Sequence, residues 1–139
     1  MHRTIFDTSV VNTVLRGLSM AFLKSTGWRL EGSLPPNMPK CVLIAAPHTS
    51  NWDLPYTLMA AFGLHLRIYW LGKESIFKPP FKGLMRWLGG IPVQRVASGK
   101  LVEASAQAIR QAEHSLQLVL SPEGTRSKTR YWKTGFYYI

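Results

Sequence analysis

Apolar residues recur at four-residue steps near the start of the chain: Phe6, Val10, Val14, Leu18 and Phe22, with Val11, Leu15 and Met20 widening the stripe. That spacing predicts an amphipathic helix over residues 5–23. Such a face serves to pack on a core, to lie in a membrane interface, or both, and Arg16 and Lys24 suit either role. Residues 31–39, EGSLPPNMP, hold three prolines and no periodicity, so they read as a connector. From residue 40 the pattern changes. An apolar run at 41–46 is followed by the polar break PHTSN, a helix-like stretch near 53–62 and the strand-type run LRIYWL at 66–71. This is a βαβ rhythm. Pro79 and Pro80 then open FKGLMRWL, which Gly89 and Gly90 close, and the short strand IPVQR follows. Leu101, Ala104, Ala108 and Ala112 share one helical face, and LQLVL at 116–120 is a strand that delivers the polar loop SPEGTRSK at its carboxyl end.

The expected architecture is a single α/β domain with a mixed, largely parallel sheet flanked by helices and preceded by an N-terminal amphipathic helix. Residues 1–39 form the helix and connector and residues 40–139 the main body. The last residues, GFYYI, are an apolar element with no terminating signal, so the body is expected to be incomplete at its C-terminus.

Composition narrows the classes. A chain of 139 residues with 46% hydrophobic side chains can bury a core without a metal or disulfide staple. The single cysteine, Cys41, forbids an internal disulfide and sits in the apolar run CVLIAA, where a structural thiol is expected. The net charge of +10 calls for anionic partners, and eleven of the seventeen basic residues fall in 71–139. RNP, zinc-finger and helix-turn-helix signatures are missing, which argues against nucleic acid. The longest uncharged stretches, Cys41–Trp52 and Leu54–Leu66, are too short to span a bilayer. Asp7 and Asn12 interrupt the first apolar run and no cleavage site follows, so a cytoplasmic location, peripheral on anionic membrane, is expected.

Three features could carry chemistry. In PHTSNWD, His48 and Asp53 are five positions apart, so they meet only if PHTSN turns back and lays the imidazole over the carboxylate. A carboxylate on one ring nitrogen fixes the tautomer and lets the other take a proton from a hydroxyl. The alternative is that Asp53 caps a helix and His48 is an ordinary loop residue. In SPEGTRS, Gly124 lets a ligand approach the backbone and Thr125, Arg126 and Ser127 offer donors suited to phosphate, with Lys128 and Arg130 adding positive field. There the alternative is a surface ion pair between Glu123 and Arg126. The third is Arg95, ending the strand IPVQR on the same side.

The order of these features resembles the glycerolipid acyltransferases, typified by bacterial 1-acylglycerol-3-phosphate acyltransferase. The resemblance rests on His-x4-Asp at His48 to Asp53, GKES at 72–75, GGIPVQR at 89–95 and PEGTRS at 122–127. Pro47 and Ser121 depart from the family pattern, where Asn and Phe are common, and the family's fourth, proline-containing motif does not occur. The resemblance implies transfer of a fatty acyl group from a thioester, acyl-CoA or acyl carrier protein, to the hydroxyl of a lysophospholipid or glycerol phosphate. It makes His48 the general base, Asp53 its orienting partner, and Arg95, Glu123, Gly124, Thr125 and Arg126 the residues that bind the phosphorylated acceptor. It implies no cofactor and no metal, and as partners an anionic membrane surface, the lipid acceptor and acyl carrier protein. A non-catalytic membrane-surface protein of the same fold is the alternative.

Overall fold

The structure is a computed structural model that describes residues 2–93 and 98–139. Four strands, β1 (Lys40–Ile44), β2 (Ile68–Lys73), β3 (Gly90–Val93) and β4 (Leu116–Leu120), form one sheet in the order β1-β4-β2-β3. Its three pairings are all parallel. The helices are α1 (Ser9–Ser25), α2 (Asp53–Gly63), α3 (Lys82–Trp87) and α4 (Ser98–Gln111), with short 3₁₀ turns at Ile5–Asp7, Glu74–Phe77 and Thr134–Tyr138. The α/β class, the largely parallel sheet and the leading helix follow the expectation. Of the expected strand IPVQR, Gln94 and Arg95 lie outside the described residues.

Side chains alternate across a strand, and the alternation divides the core into two layers. On one face Ile68, Leu43 and Val119 pack with Ala61, Phe62 and Leu58 of α2 and with Ile5, Phe6, Val11 and Leu15 from the N-terminal segment. On the other, Tyr69, Leu71, Leu116, Leu118 and Leu120 pack with Ile109 and Ala112 at the end of α4 and with Ile139. The β1–α2–β2 and β3–α4–β4 crossovers run in opposite directions along the sheet, and this is what puts β4 between β1 and β2.

The N-terminal edge of the sheet is held by a buried polar side chain. Gln117 of β4 accepts the backbone N–H of Arg67 at 2.7 Å and donates to the carbonyl of Pro39 at 3.1 Å. It thereby satisfies backbone groups just before β2 and β1. At the start of β3, Gly89 has φ 88°, and a Cβ there would lie 2.5 Å from the carbonyl oxygen of Ile68. Only glycine meets both demands.

The N-terminal helix uses a different stripe from the one that its spacing highlights. Val11, Leu15, Ser19 and Leu23, at four-residue steps, turn inward, whereas Val10, Val14, Leu18 and Phe22 are exposed. Its approach is fixed by the turn before it, where the N–H and hydroxyl of Thr4 donate to Asp7 Oδ2 at 2.8 and 2.9 Å. Asp7 also pairs with Arg67 at 3.2 Å, which joins the turn to β2.

Two leucines of α1 test this placement. Leu23 is 2% exposed and Leu18 is 63% exposed. Leu23→Ala is expected to lower unfolding stability by about 2–5 kcal/mol, and Leu18→Ala to change it by less than about 0.5 kcal/mol. Denaturant midpoints at constant slope read both, and equal losses would contradict the placement.

Candidate active site

The site is built where β1 and β4 end side by side. Their register runs from Lys40↔Leu116 to Ile44↔Leu120, and the Ala45 N–H extends the ladder by donating to the Leu120 carbonyl at 2.8 Å. The polar segments that follow, PHTSN and SPEGTRSK, therefore leave the sheet as neighbours at its carboxyl edge, where ligands of open α/β sheets bind.

PHTSN does turn back. Asp53 is the first residue of α2, and its Oδ2 accepts the backbone N–H groups of Thr49 at 2.7 Å and Ser50 at 2.9 Å. The same oxygen lies 2.9 Å from Nδ1 of His48. Asp53 thus closes the preceding loop, and the helix-cap alternative does not hold: the N-cap position is Trp52, which makes no side-chain cap.

Burial works to raise the pKa of Asp53, but the Ser50 and Thr49 N–H donors and the His48 ring outweigh it and hold the carboxyl below its ordinary value of 3.8. An ionised carboxylate only accepts hydrogen bonds, so Nδ1 is the donor in this contact, and in the neutral ring that tautomer leaves the lone pair on Nε2. The two side chains are 30% and 28% exposed, so the dyad is open to a substrate.

Glu123 joins the second loop to the first. Its Oε2 accepts the backbone N–H of His48 at 2.6 Å. Among the described residues it forms no ion pair with Arg126, so the surface-pair alternative fails as well. Gly124 has φ 64° and its N–H closes a turn on the Ser121 carbonyl at 3.3 Å. Thr125 and Arg126 are exposed beyond that turn, and Thr125 Oγ1 accepts the Ser127 N–H at 3.2 Å. Arg95 lies outside the described residues, two positions past the end of β3. Lys73, Glu74 and Ser75 of GKES are exposed at the carboxyl end of β2.

The structure thus brings His48, Asp53 and Glu123 together in direct contact. The sequence of this chain matches the model of the Acyltransferase family over residues 30–139, which includes every one of these residues. The chain belongs to the Acyltransferase family. No curated protein and no solved structure matches it. In this acyltransferase Cys41 is half-buried in β1, and burial pushes its pKa up, away from a reactive thiolate.

Sequence reasoning missed two things about this acyltransferase. One is that Glu123 faces the His48 backbone, for which Pro-Glu-Gly carries no signal because the partner is a main-chain amide 75 positions earlier. The other is Lys133, whose N–H donates to the Pro122 carbonyl at 2.8 Å and whose side chain lies against Gly124.

The depressed pKa sets a direction for stability against pH. Asp53 contributes fully above its unfolded value, and the contribution is lost as pH falls through the lower folded value. Asp53→Asn is expected to reduce the acid-side loss of stability, and to speed hydrogen exchange at the Thr49 and Ser50 amides while leaving the β4 amides protected. Unchanged exchange at both positions would contradict the loop geometry.

Proposed function

We propose that this acyltransferase moves a fatty acyl group from a thioester, acyl-CoA or acyl carrier protein, to the hydroxyl of a lysophospholipid or glycerol phosphate acceptor, with His48 as general base. The observation that carries the reading is the 2.9 Å contact between His48 Nδ1 and Asp53 Oδ2, which leaves Nε2 free at an open site. The acceptor hydroxyl gives its proton to Nε2 as its oxygen bonds to the thioester carbonyl carbon. Asp53 steadies the imidazolium that forms. The tetrahedral intermediate then expels the thiolate, the C–S bond breaks, and the imidazolium returns the proton to sulfur. No acyl-enzyme is required, in keeping with a sequence that has no G-x-S-x-G element.

Arg126 is the side chain suited to bidentate contact with the acceptor phosphate, with Thr125 and Gly124 beside it in the loop, and Arg95 is assigned to the same acceptor on the resemblance alone. Glu123 is assigned differently from the resemblance: with its carboxylate engaged by the His48 N–H, it sets the position of the histidine loop. His48→Ala is expected to abolish acyl release from labelled acyl-CoA or acyl carrier protein in the presence of lysophosphatidate, with a thermal midpoint close to that of the parent. Undiminished turnover would refute the mechanism.

A lysophospholipid acceptor resides in a membrane, and peripheral attachment to an anionic membrane is part of the same proposal. Among the described residues no helix is long and apolar enough to cross a membrane. Val10, Val14, Leu18 and Phe22 form an exposed apolar row on α1, extended by Trp28, which packs on Tyr56 with 5.1 Å between ring centroids. Arg16, Lys24 and Arg29 are also exposed in this N-terminal segment. An apolar row with nearby cations suits the interface of an anionic bilayer, each basic residue contributing on the order of 1 kcal/mol there. Cosedimentation with phosphatidylserine-containing vesicles is expected to weaken with salt and to fall markedly in Val14→Asp and Leu18→Asp. Equal pelleting with neutral and anionic vesicles at high salt would exclude the electrostatic part.

A further inference from the structure

The turn that ends at Gly124, two residues before Arg126, is covered by a cation from a later part of the chain. Residues 131–133 return to it, and the Lys133 N–H donates to the Pro122 carbonyl at 2.8 Å. The Lys133 side chain then lies across the glycine: a Cβ at position 124 would meet its Nζ at 3.0 Å, Cε at 3.2 Å and Cδ at 3.3 Å. A side chain at 124 would push the ammonium away, so the glycine serves two needs, its φ of 64° and the space that Lys133 occupies. Among the described residues no carboxylate pairs with Lys133 or with Arg126. The nearby acid, Glu123, is engaged by the His48 amide instead. Arg130, by contrast, is turned onto the ring of Tyr131, 5.5 Å from its centroid.

Two cations without acidic partners, one laid over Gly124 and the other two residues further along the same loop, raise the local positive potential and favour an anion bound beside them. We propose that Lys133 is a further substrate-binding residue of this acyltransferase: its ammonium, laid across Gly124, joins Arg126 in holding a phosphate group of a substrate. The role rests on the reading that the substrates include phosphate esters. Lysine suits it as a compact charge with three rotatable donors that can follow a phosphate during transfer, whereas Arg126 supplies the planar, bidentate contact.

Two substrates could bring the phosphate, the acceptor or a CoA thioester, and kinetics separate them. In Lys133→Gln the apparent KM for lysophosphatidate is expected to rise roughly tenfold with kcat little changed, as for the loss of one charge-assisted contact. Lys133→Arg should restore most of it. Monoacylglycerol, which has no phosphate, should be used equally well by parent and variant. A rise confined to the KM for acyl-CoA would support phosphate binding by Lys133 with the donor as its source. A fall in kcat with every acceptor, monoacylglycerol included, would overturn the proposal in favour of a structural role. A readout without turnover stands beside this: titration with glycerol 3-phosphate should shift the Gly124 and Lys133 amide resonances in the parent and not in Lys133→Gln. Equal shifts in both proteins would also overturn it. If the parent shows the shifts but transfers no acyl group to any acceptor, the proposed function fails while the binding role of Lys133 stands.

Discussion

The site depends on one strand pairing. β4 comes last of the four strands in sequence yet lies second in the sheet, and its parallel register with β1, ending at Ile44↔Leu120, places two loops that start 76 residues apart on one edge. Leu116 and Leu118 are completely buried, so a shift of one residue would turn them from one core layer to the other and is strongly disfavoured. Gln117 pins the opposite edge through the backbone of Arg67 and Pro39. With register fixed at both ends, the short bond from the His48 amide to Glu123 becomes possible.

Two carboxylates then shape the histidine loop from opposite sides. Asp53 gathers three nitrogen donors on one oxygen, two from the backbone and one from the ring, and Glu123 takes the amide of His48 itself. On the proposed mechanism, a loop held in shape in this way leaves little ordering to be done in the transition state. The charge balance follows the same division: Asp53 and Glu123 are engaged by the histidine loop, and on the proposed reading Arg126 and Lys133 face an anion.

Much of the fold was legible because the chain's patterns are short-range. Strand β4 falls where LQLVL predicted, and α2 starts at Asp53 as the polar break implied. The site was legible as far as local geometry reaches: five positions between His48 and Asp53 left a turn as the one way to join them, and that turn is present. The face of α1 was less legible. Val10, Val14, Leu18 and Phe22 form a more regular apolar row than Val11, Leu15, Ser19 and Leu23, but the second row is the one that meets α2 and the sheet. Adjacent rows differ by one residue in phase, and a buried serine in the inward row blurs the contrast. Contacts of high sequence separation were beyond local pattern altogether: Glu123 with the His48 amide, Gln117 with Pro39, and Lys133 over a glycine whose own motif ends several residues earlier.

The proposed mechanism requires an ionised Asp53 to hold the neutral His48 ring as the Nδ1–H tautomer, with Nε2 bare and available to a hydroxyl. Long-range nitrogen–proton NMR correlation on protein labelled at histidine nitrogens reads this directly at a pH where the ring is neutral. A protonated, pyrrole-type Nδ1 and an unprotonated, pyridine-type Nε2 are expected for His48, with that preference lost in Asp53→Asn. A His48 ring carrying its proton on Nε2, with Nδ1 bare toward Asp53, would contradict it.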